Sequence, residues 1–396
     1  MNRYPSRVPL AVPYWNGETY RAALRSILRG QILAGPELGR LKSLLLSRID
    51  AAAALLCGSG SLALEVVLAS CGVGHGDEVV IPSFCCSAIV PPIMNVGAAP
   101  VFADVGEDLN ITAGTVEDAC TQKTKAVIVP HLFGNPADIQ AIEKIARSRN
   151  IAVIDDAAQA LGATIDGRAA GGFGDAGILS FGAEKVCFGI GGGVALSRRE
   201  GLFAGACLPA PGSASPLLKL GSALIRRRWR RWTFPLDSLL PAKAEPGEPP
   251  VSYRREGMAN ISAAVALTLT RTLDENIAAR QARVRRYREL LGDEGRLQLV
   301  PHRPGSACLT QVVRVLPRRS RDDSAVRVID ALRAEGYEVQ GSYVPIHLLP
   351  AYERWSRGPL PNAESAWGDL VELPCEPDIS PDHIERIAVI VRRAIA

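Results

Sequence analysis

Two adjacent aspartates close a short apolar run in the segment VIDDAAQALGA, residues 153–163. If that run is a strand, at least one of the two carboxylates lies at its carboxyl end. A carboxylate there can pair with a protonated ring nitrogen and keep it cationic. Asp155 or Asp156 could instead cap a following helix, and the residues alone leave both interpretations open.

A lysine within GILSFGAEKVCFGIGGGVAL, residues 177–196, is a candidate nucleophile. Lys185 follows a predicted strand ending in Ser180 and Phe181, and it precedes the glycine run of residues 189–193. Partial desolvation lowers the pKa of a lysine and frees its amine for Schiff-base chemistry. A lone loop lysine is usually a solvated surface charge, so this interpretation depends on the neighbouring motifs. The glycine run is not a P-loop, because no Gly-Lys-Ser/Thr follows it.

A third motif, CGSGSLALEVVL at residues 57–68, places small residues directly before an apolar helix. The free backbone N–H groups and the dipole at such a helix start would bind a phosphate. The same residues also fit an ordinary N-cap, so the motif is weak by itself.

Short apolar runs alternate with segments of helical period between residues 51 and 196. This alternation predicts an α/β fold with a parallel sheet covered by helices on both faces. One such helix is predicted at residues 137–149 from its isoleucine spacing. Ligands of such sheets usually bind at the carboxyl ends of the strands, where these polar residues fall. The predicted strands are Glu78–Pro82, Ala99–Ala103, Ala126–Pro130, Ile151–Asp155 and Gly177–Phe181.

A proline-rich insertion at about residues 209–250 interrupts this pattern and contains the basic segment LIRRRWRRW. We therefore predict a large domain, residues 1–250, and a smaller C-terminal α/β domain, residues 251–396. The smaller domain is expected to contain strands near 310–316 and 338–344 and helices at 263–291, 324–335 and 382–396.

Composition excludes several classes of protein. The 45 Lys and Arg against 41 Asp and Glu leave a net charge of +4, too near balance to imply a nucleic-acid partner. Nine cysteines without a Cys-x-x-Cys pair indicate no metal site and favour reduced thiols in the cytosol. The uncharged stretch 84–103 contains three prolines, so we expect buried core rather than a membrane span. Prolines also interrupt the N-terminal segment where a secretory signal would be apolar, and we predict a cytoplasmic protein.

The order of these motifs resembles the fold-type I pyridoxal phosphate (PLP) enzymes, and specifically the DegT/DnrJ/EryC1/StrS family of sugar aminotransferases. The resemblance covers nearly the whole chain, from GQILAGPELGRL through VIDDAAQALGA and SFGAEK to LPCEPDISPDHIERI. It implies a large domain with a mostly parallel central sheet between helices, a smaller C-terminal domain, pyridoxal 5′-phosphate as cofactor, and a homodimer.

The resemblance also implies roles for particular residues. Lys185 would bind the cofactor covalently and later move the proton between substrate and cofactor, while Asp156 would pair with the pyridine nitrogen. Gln159 would lie beside the ring, and His347 falls in a segment near the substrate, although a core histidine is equally compatible. The implied phosphate contacts are Gly60, Ser61 and Ser180.

Three positions depart from the family pattern. Cys86 stands where an aromatic residue usually packs against the cofactor ring, and a thiol offers less stacking area. Gly191 replaces an acid in the glycine loop. Gly257 stands where an Asn or Arg reaches the neighbouring subunit's phosphate, and Arg254 or Arg255 is a candidate substitute.

The implied activity is transfer of an amino group from an amino acid, glutamate, to a nucleotide-linked keto-sugar in amino-sugar, polysaccharide or secondary-metabolite biosynthesis. A PLP-dependent sugar dehydratase is one alternative, disfavoured because related dehydratases carry histidine where this chain has Lys185. A non-catalytic binding protein is the other, kept open by the three departures. The basic and aromatic segment 217–232 fits a solvated helix face, a clamp on the sugar nucleotide's diphosphate, or contact with a membrane surface.

Overall fold

A computed structural model describes residues 8, 10–11, 13–212, 215–225, 253–292, 295–316 and 323–396. The proposed domain boundary at residue 250 and the segment 226–250 of the insertion lie outside the described residues, so that division stays a prediction.

A seven-stranded sheet forms the centre of the N-terminal part, in the order β1-β9-β8-β5-β4-β2-β3. Its strands are β1 (Ala53–Cys57), β2 (Glu78–Pro82), β3 (Ala99–Ala103), β4 (Thr124–Pro130), β5 (Ala152–Asp156), β8 (Ala176–Ser180) and β9 (Gly193–Ser197). The pairs β2–β3, β2–β4, β4–β5 and β5–β8 are parallel, as predicted from strands that are apolar throughout. The predicted α/β fold with a mostly parallel central sheet is therefore confirmed.

Sequence analysis missed two strands of this sheet, β1 and β9. Strand β9 runs antiparallel to both of its neighbours, β8 and β1. It lies only twelve residues after β8 because the intervening glycine loop reverses the chain without a crossover helix. A two-stranded ribbon, β6 (Thr164–Ile165) and β7 (Arg168–Ala169), lies outside the main sheet.

Helices pack around the main sheet and bury apolar residues. They are α1 (Gly17–Leu28), α2 (Glu37–Ile49), α3 (Gly60–Ser70), α4 (Val90–Asn95), α5 (Ala113–Ala119) and α6 (Ile139–Ser148). A further helix, α7, spans residues 215–225. The predicted helix at 137–149 is α6, whose Ile139 and Ile142 are fully buried.

The predicted helix at 263–291 is two helices, α8 (Asn260–Arg271) and α9 (Leu273–Leu291). The break lies at Thr272, whose φ of −101° and ψ of 16° depart from helical values. Helix α8 is buried on nearly every side, so its sequence lacks the one-sided apolar pattern that would have marked its end.

The C-terminal part contains a three-stranded antiparallel sheet, β10 (Leu297–Leu299), β11 (Thr310–Val315) and β12 (Leu370–Pro374). Helices α10 (Ser324–Ala334), α11 (Pro361–Trp367) and α12 (Pro381–Ile395) accompany it. The strand predicted at 338–344 is wrong. That segment forms no regular strand; isolated bridges pair Gln340 with Glu372 and the preceding Tyr337 with Val8.

Candidate active site

A cavity of about 380 Å³ opens at the carboxyl edge of the seven-stranded sheet. The ends of β4, β5 and β8, the start of α3 and the loop before β9 all contribute to its wall. Parallel strands place their carboxyl ends at one edge, which is why polar residues distant in the sequence meet here. Seven residues singled out in the sequence line this one cavity: Gly60, Ser61, Cys86, Asp156, Gln159, Ser180 and Lys185.

The two aspartates of β5 point to opposite sides of the sheet, as adjacent strand residues must. Asp155 is fully buried away from the cavity, where it accepts hydrogen bonds from Gly171 N–H at 2.7 Å and Phe173 N–H at 2.9 Å. It also contacts His131 Nε2 at 2.8 Å. Since His131 Nδ1 accepts the Ala137 N–H, Nε2 carries the proton in the neutral ring and donates to Asp155.

Asp156 lines the cavity, and its Oδ1 accepts the Ala158 N–H at 3.0 Å. No regular helix follows β5, because residues 158–162 form turns. The helix-cap alternative is therefore wrong for both aspartates. Burial raises the pKa of Asp156, and the Ala158 hydrogen bond and the positive charge of Lys185 offset part of that rise.

Lys185 lies half-buried in the loop of residues 181–192, between β8 and β9. Glu184 immediately before it has a φ of 62°, which turns the chain so that the loop folds over the sheet edge. Phe181 N–H donates to the Gly192 carbonyl at 3.0 Å, and Gly191 N–H donates to the Phe181 carbonyl at 3.2 Å. These two bonds close the base of the loop and hold Lys185 over the cavity that Asp156 also lines.

The start of α3 forms a tightly packed wall opposite the glycine loop. Ser59 caps the helix through its Oγ, which accepts the Leu62 N–H at 3.1 Å. A Cβ on Gly60 would lie 3.0 Å from the Cβ of Ser180, and one on Gly193 would lie 2.5 Å from the Gly60 nitrogen. A side chain is excluded at Gly193 and would be crowded at Gly60, whose backbone lines the cavity.

Gln159 is held from two sides by residues that sequence analysis did not single out. Its Oε1 accepts the Phe133 N–H at 2.9 Å, and its Nε2 donates to the Tyr343 hydroxyl at 3.1 Å. The rings of Phe133 and Tyr343 stack with centroids 6.0 Å apart. Phe133 has a positive φ of 57°, and no sequence pattern marks this conformation.

His347 and Arg255 lie outside this cavity. His347 is buried, contacts Ser83 Oγ at 2.6 Å and Glu364 at 3.2 Å, and borders a separate cavity. Arg255 is exposed and pairs with Glu65 at 2.8 Å. The substrate contacts predicted for both residues therefore have no support in the geometry of this chain and stay predictions.

Lys219 on α7 also lines the cavity and was missed. In the sequence it stands beside Leu217, Leu218 and Leu220, at the start of the basic and aromatic segment 217–232.

The lining residues fit pyridoxal 5′-phosphate. The cavity presents a carboxylate for a ring nitrogen, a lysine amine for an aldehyde, and hydroxyl and backbone groups at Gly60, Ser61 and Ser180 for a phosphate. The close approach of Gly60 to Ser180 is what a phosphate cradle requires, because a Cβ would fill it. The volume is in the range of small-molecule sites.

Comparison with known proteins points the same way. A family model described as the DegT/DnrJ/EryC1/StrS aminotransferase family matches residues 16–392. The chain is 30% identical over 343 residues to the GDP-perosamine synthase of Caulobacter vibrioides, covering 84% of this chain and 83% of that protein. It is 32% identical over 314 residues to the L-glutamine:2-deoxy-scyllo-inosose aminotransferase of Streptoalloteichus tenebrarius, covering 76% and 68%. Among solved structures, the aminotransferase TlmJ from Streptoalloteichus hindustanus superimposes with a TM-score of 0.77 at 25% identity, covering 98% of this chain and 99% of that one.

Proposed function

From the premise that this chain belongs to the DegT/DnrJ/EryC1/StrS aminotransferase family, we propose that it transfers an amino group from L-glutamate to a nucleotide-linked keto-sugar. The chain is a PLP-dependent aminotransferase, as its family and relatives are. Amino donor, sugar and nucleotide belong to the proposal.

One observation carries the proposal: Lys185 and Asp156 line the same cavity. Bound pyridoxal phosphate supplies an electron sink that stabilises the carbanion formed at the substrate carbon. Asp156 would accept the N–H of the protonated ring nitrogen and would keep that proton in place. The Ala158 hydrogen bond to Oδ1 fixes the orientation of the carboxylate.

Lys185 has two tasks in this scheme. Its Nζ would hold the cofactor by its aldehyde carbon until an amino donor takes that place. The freed amine would then move a proton between the substrate carbon and the cofactor, away from the donor's α-carbon in one half of the reaction and onto the sugar carbon in the other. Amino donor and keto-sugar use one site in turn, so ping-pong kinetics are expected.

The names of the relatives support a sugar substrate. The Caulobacter protein is named for GDP-perosamine, a nucleotide-linked amino sugar, and the Streptoalloteichus enzyme is named for aminating 2-deoxy-scyllo-inosose. The latter is named for L-glutamine as donor, so glutamine is the competitor to test against glutamate.

We further propose that the enzyme works in the cytoplasm as a homodimer. All nine cysteines are unpaired, which fits a reducing compartment. No helix of the described residues is both long enough and apolar enough to cross a membrane. Contact of segment 217–232 with a membrane surface is a further proposal. Its support is the exposure of Leu218, Leu224 and Ile225 beside the arginines that follow.

The decisive experiment is a spectroscopic titration. Purified protein with pyridoxal phosphate should show the absorbance of the lysine-bound cofactor and should lose it when glutamate is added, with release of 2-oxoglutarate. Lys185→Ala should show neither the absorbance nor turnover. A wild-type spectrum that does not respond to any amino acid would favour the non-catalytic binder. Release of water from the sugar without amine transfer would favour the dehydratase.

A further inference from the structure

Resting on the proposed function, we propose that Lys219 is the cation that binds the phosphate of the cofactor, supplied by the same chain that supplies Lys185. Nothing in the motifs quoted above assigns it a role.

Helix α7 is anchored so that Lys219 faces the cavity. Leu220 and Ala223 are 8% and 4% exposed and pack in one apolar cluster with Trp15 and Met258. Lys219 directly precedes the first of these anchors and lines the cavity wall together with the glycine loop.

Gly191 makes room for the lysine. A Cβ at this position would lie 2.8 Å from Lys219 Nζ, and the φ of Gly191 is +100°, which other residues rarely adopt. The departure at residue 191 noted in the sequence therefore has a structural counterpart. The Lys219 amine occupies the space that a side chain at position 191 would otherwise fill.

The loop that contains Gly191 continues to the wall that would hold the phosphate. Gly193, two residues beyond Gly191, packs against Ser59 and Gly60 so closely that its Cβ would lie 2.5 Å from the Gly60 nitrogen. Lys219 therefore adjoins the wall that contains Gly60, Ser61 and Ser180.

Charge balance also calls for a cation here. Within the described part of the chain, the Lys and Arg side chains that line the cavity are Lys185 and Lys219, and the carboxylates are Asp156 and Glu184. Lys185 is used in anchoring the cofactor and Asp156 in pairing with its ring nitrogen, so Lys219 is the lining cation that remains for the phosphate.

The test compares two forms of the ligand. Apoenzyme of Lys219→Met is titrated with pyridoxal 5′-phosphate and, separately, with pyridoxal, which lacks the phosphate. A charge-assisted hydrogen bond lost from the phosphate should raise the Kd for pyridoxal phosphate about 10- to 150-fold. The Kd for pyridoxal should stay at the wild-type value.

Two control variants accompany this test. Lys219→Arg should retain most of the affinity for pyridoxal phosphate, because it keeps the charge. Lys42→Met, at an exposed position elsewhere, makes the same change in net charge and should bind both ligands like the wild type.

A second variant tests the link to the glycine loop. Gly191→Ala places a methyl group against the Lys219 amine and should weaken pyridoxal phosphate binding. When Lys219 is already replaced by Met, adding Gly191→Ala should weaken binding less than it does in the wild-type chain. Backbone strain at residue 191 would instead weaken binding equally in the Lys219→Met chain and in the wild-type chain.

An unchanged Kd for pyridoxal phosphate in Lys219→Met, or an equal loss for both ligands, overturns the proposal. A raised KM for the amino donor or the sugar with unchanged cofactor affinity also overturns it, since Lys219 would then serve a substrate. Failure of the wild-type protein to bind pyridoxal phosphate through Lys185 would refute the proposed function itself, and the titration shows that outcome separately.

Discussion

Buried charges are treated in opposite ways at the carboxyl edge of the large sheet and in the C-terminal part of the chain. Asp156 at the sheet edge has one backbone hydrogen bond and otherwise faces a cavity. Arg280 on α9 is fully buried and bonds to Asn276 Oδ1 at 2.7 Å, to the Leu309 carbonyl at 2.9 Å and to Glu376 at 2.6 Å.

The difference distinguishes a site from a structural ion pair. A buried charge whose partners are all within the chain contributes to holding packed elements together, here α9, the segment before β11 and the segment after β12. A buried charge left facing a cavity costs stability until a ligand pairs with it. Substitutions in the first region should therefore change stability, and those in the second should change binding and turnover.

Breaking the structural pair should have the largest effect. Arg280→Met leaves Glu376 buried without its partner, and we expect the free energy of unfolding to fall by about 3–5 kcal/mol. Denaturant unfolding followed by circular dichroism measures the change. Arg280→Met combined with Glu376→Leu should recover much of the loss, because no buried charge remains. A single variant as stable as the wild type would contradict the assignment.

Neutralising the cavity-facing charge should reduce turnover instead. Asp156→Asn should lower kcat by about a hundredfold, the worth of a charge-assisted hydrogen bond to the ring nitrogen.

Because burial raises the pKa of Asp156, the folded chain binds the carboxyl proton of Asp156 more tightly than the unfolded chain does. The apoenzyme's free energy of unfolding should therefore fall as pH rises from 3.8 through the raised pKa, and Asp156→Asn should lack that loss.

Asp155→Asn is the matched control for this variant. It weakens the hydrogen bonds that Asp155 accepts from the N–H groups of residues 171 and 173. Its main effect should therefore be a lower free energy of unfolding. The assignment of the two carboxylates would be reversed if Asp156→Asn lost stability and Asp155→Asn lost only turnover.

The smallest effect concerns His302, in the segment between β10 and β11. Its Nδ1 contacts Ser306 Oγ at 2.8 Å, and burial lowers the pKa of His302 from 6.5 to about 4. Between pH 6.5 and about 4, the unfolded chain therefore binds a proton at His302 more readily than the folded chain does. The resulting stability is complete above pH 6.5 and is lost as pH falls toward 4.

His302→Asn should flatten the decline in unfolding free energy between pH 6.5 and 4, measured by denaturant unfolding across that range. Above pH 7 the variant and the wild type should show parallel curves. An unchanged slope in the acid range would show that His302 does not titrate as its burial implies.

The sequence by itself determined the sheet and the order of the chemical motifs. Strands such as Glu78–Pro82 and Ala99–Ala103 were placed to the residue, because fully buried strands are apolar throughout and that pattern is local. The resemblance also brought Lys185 and Asp156 forward as partners, although they are 29 positions apart.

Only the tertiary structure decided which side chains meet. Alternation along β5 separates Asp155 from Asp156, but which of them faces the cavity depends on the packing of His131 and residues 171–173. Lys219 lines the cavity because α7 packs beside it. His347 lies outside the cavity, where it contacts Ser83 and Glu364. Such placements depend on contacts between residues distant in the chain, which local periodicity does not record.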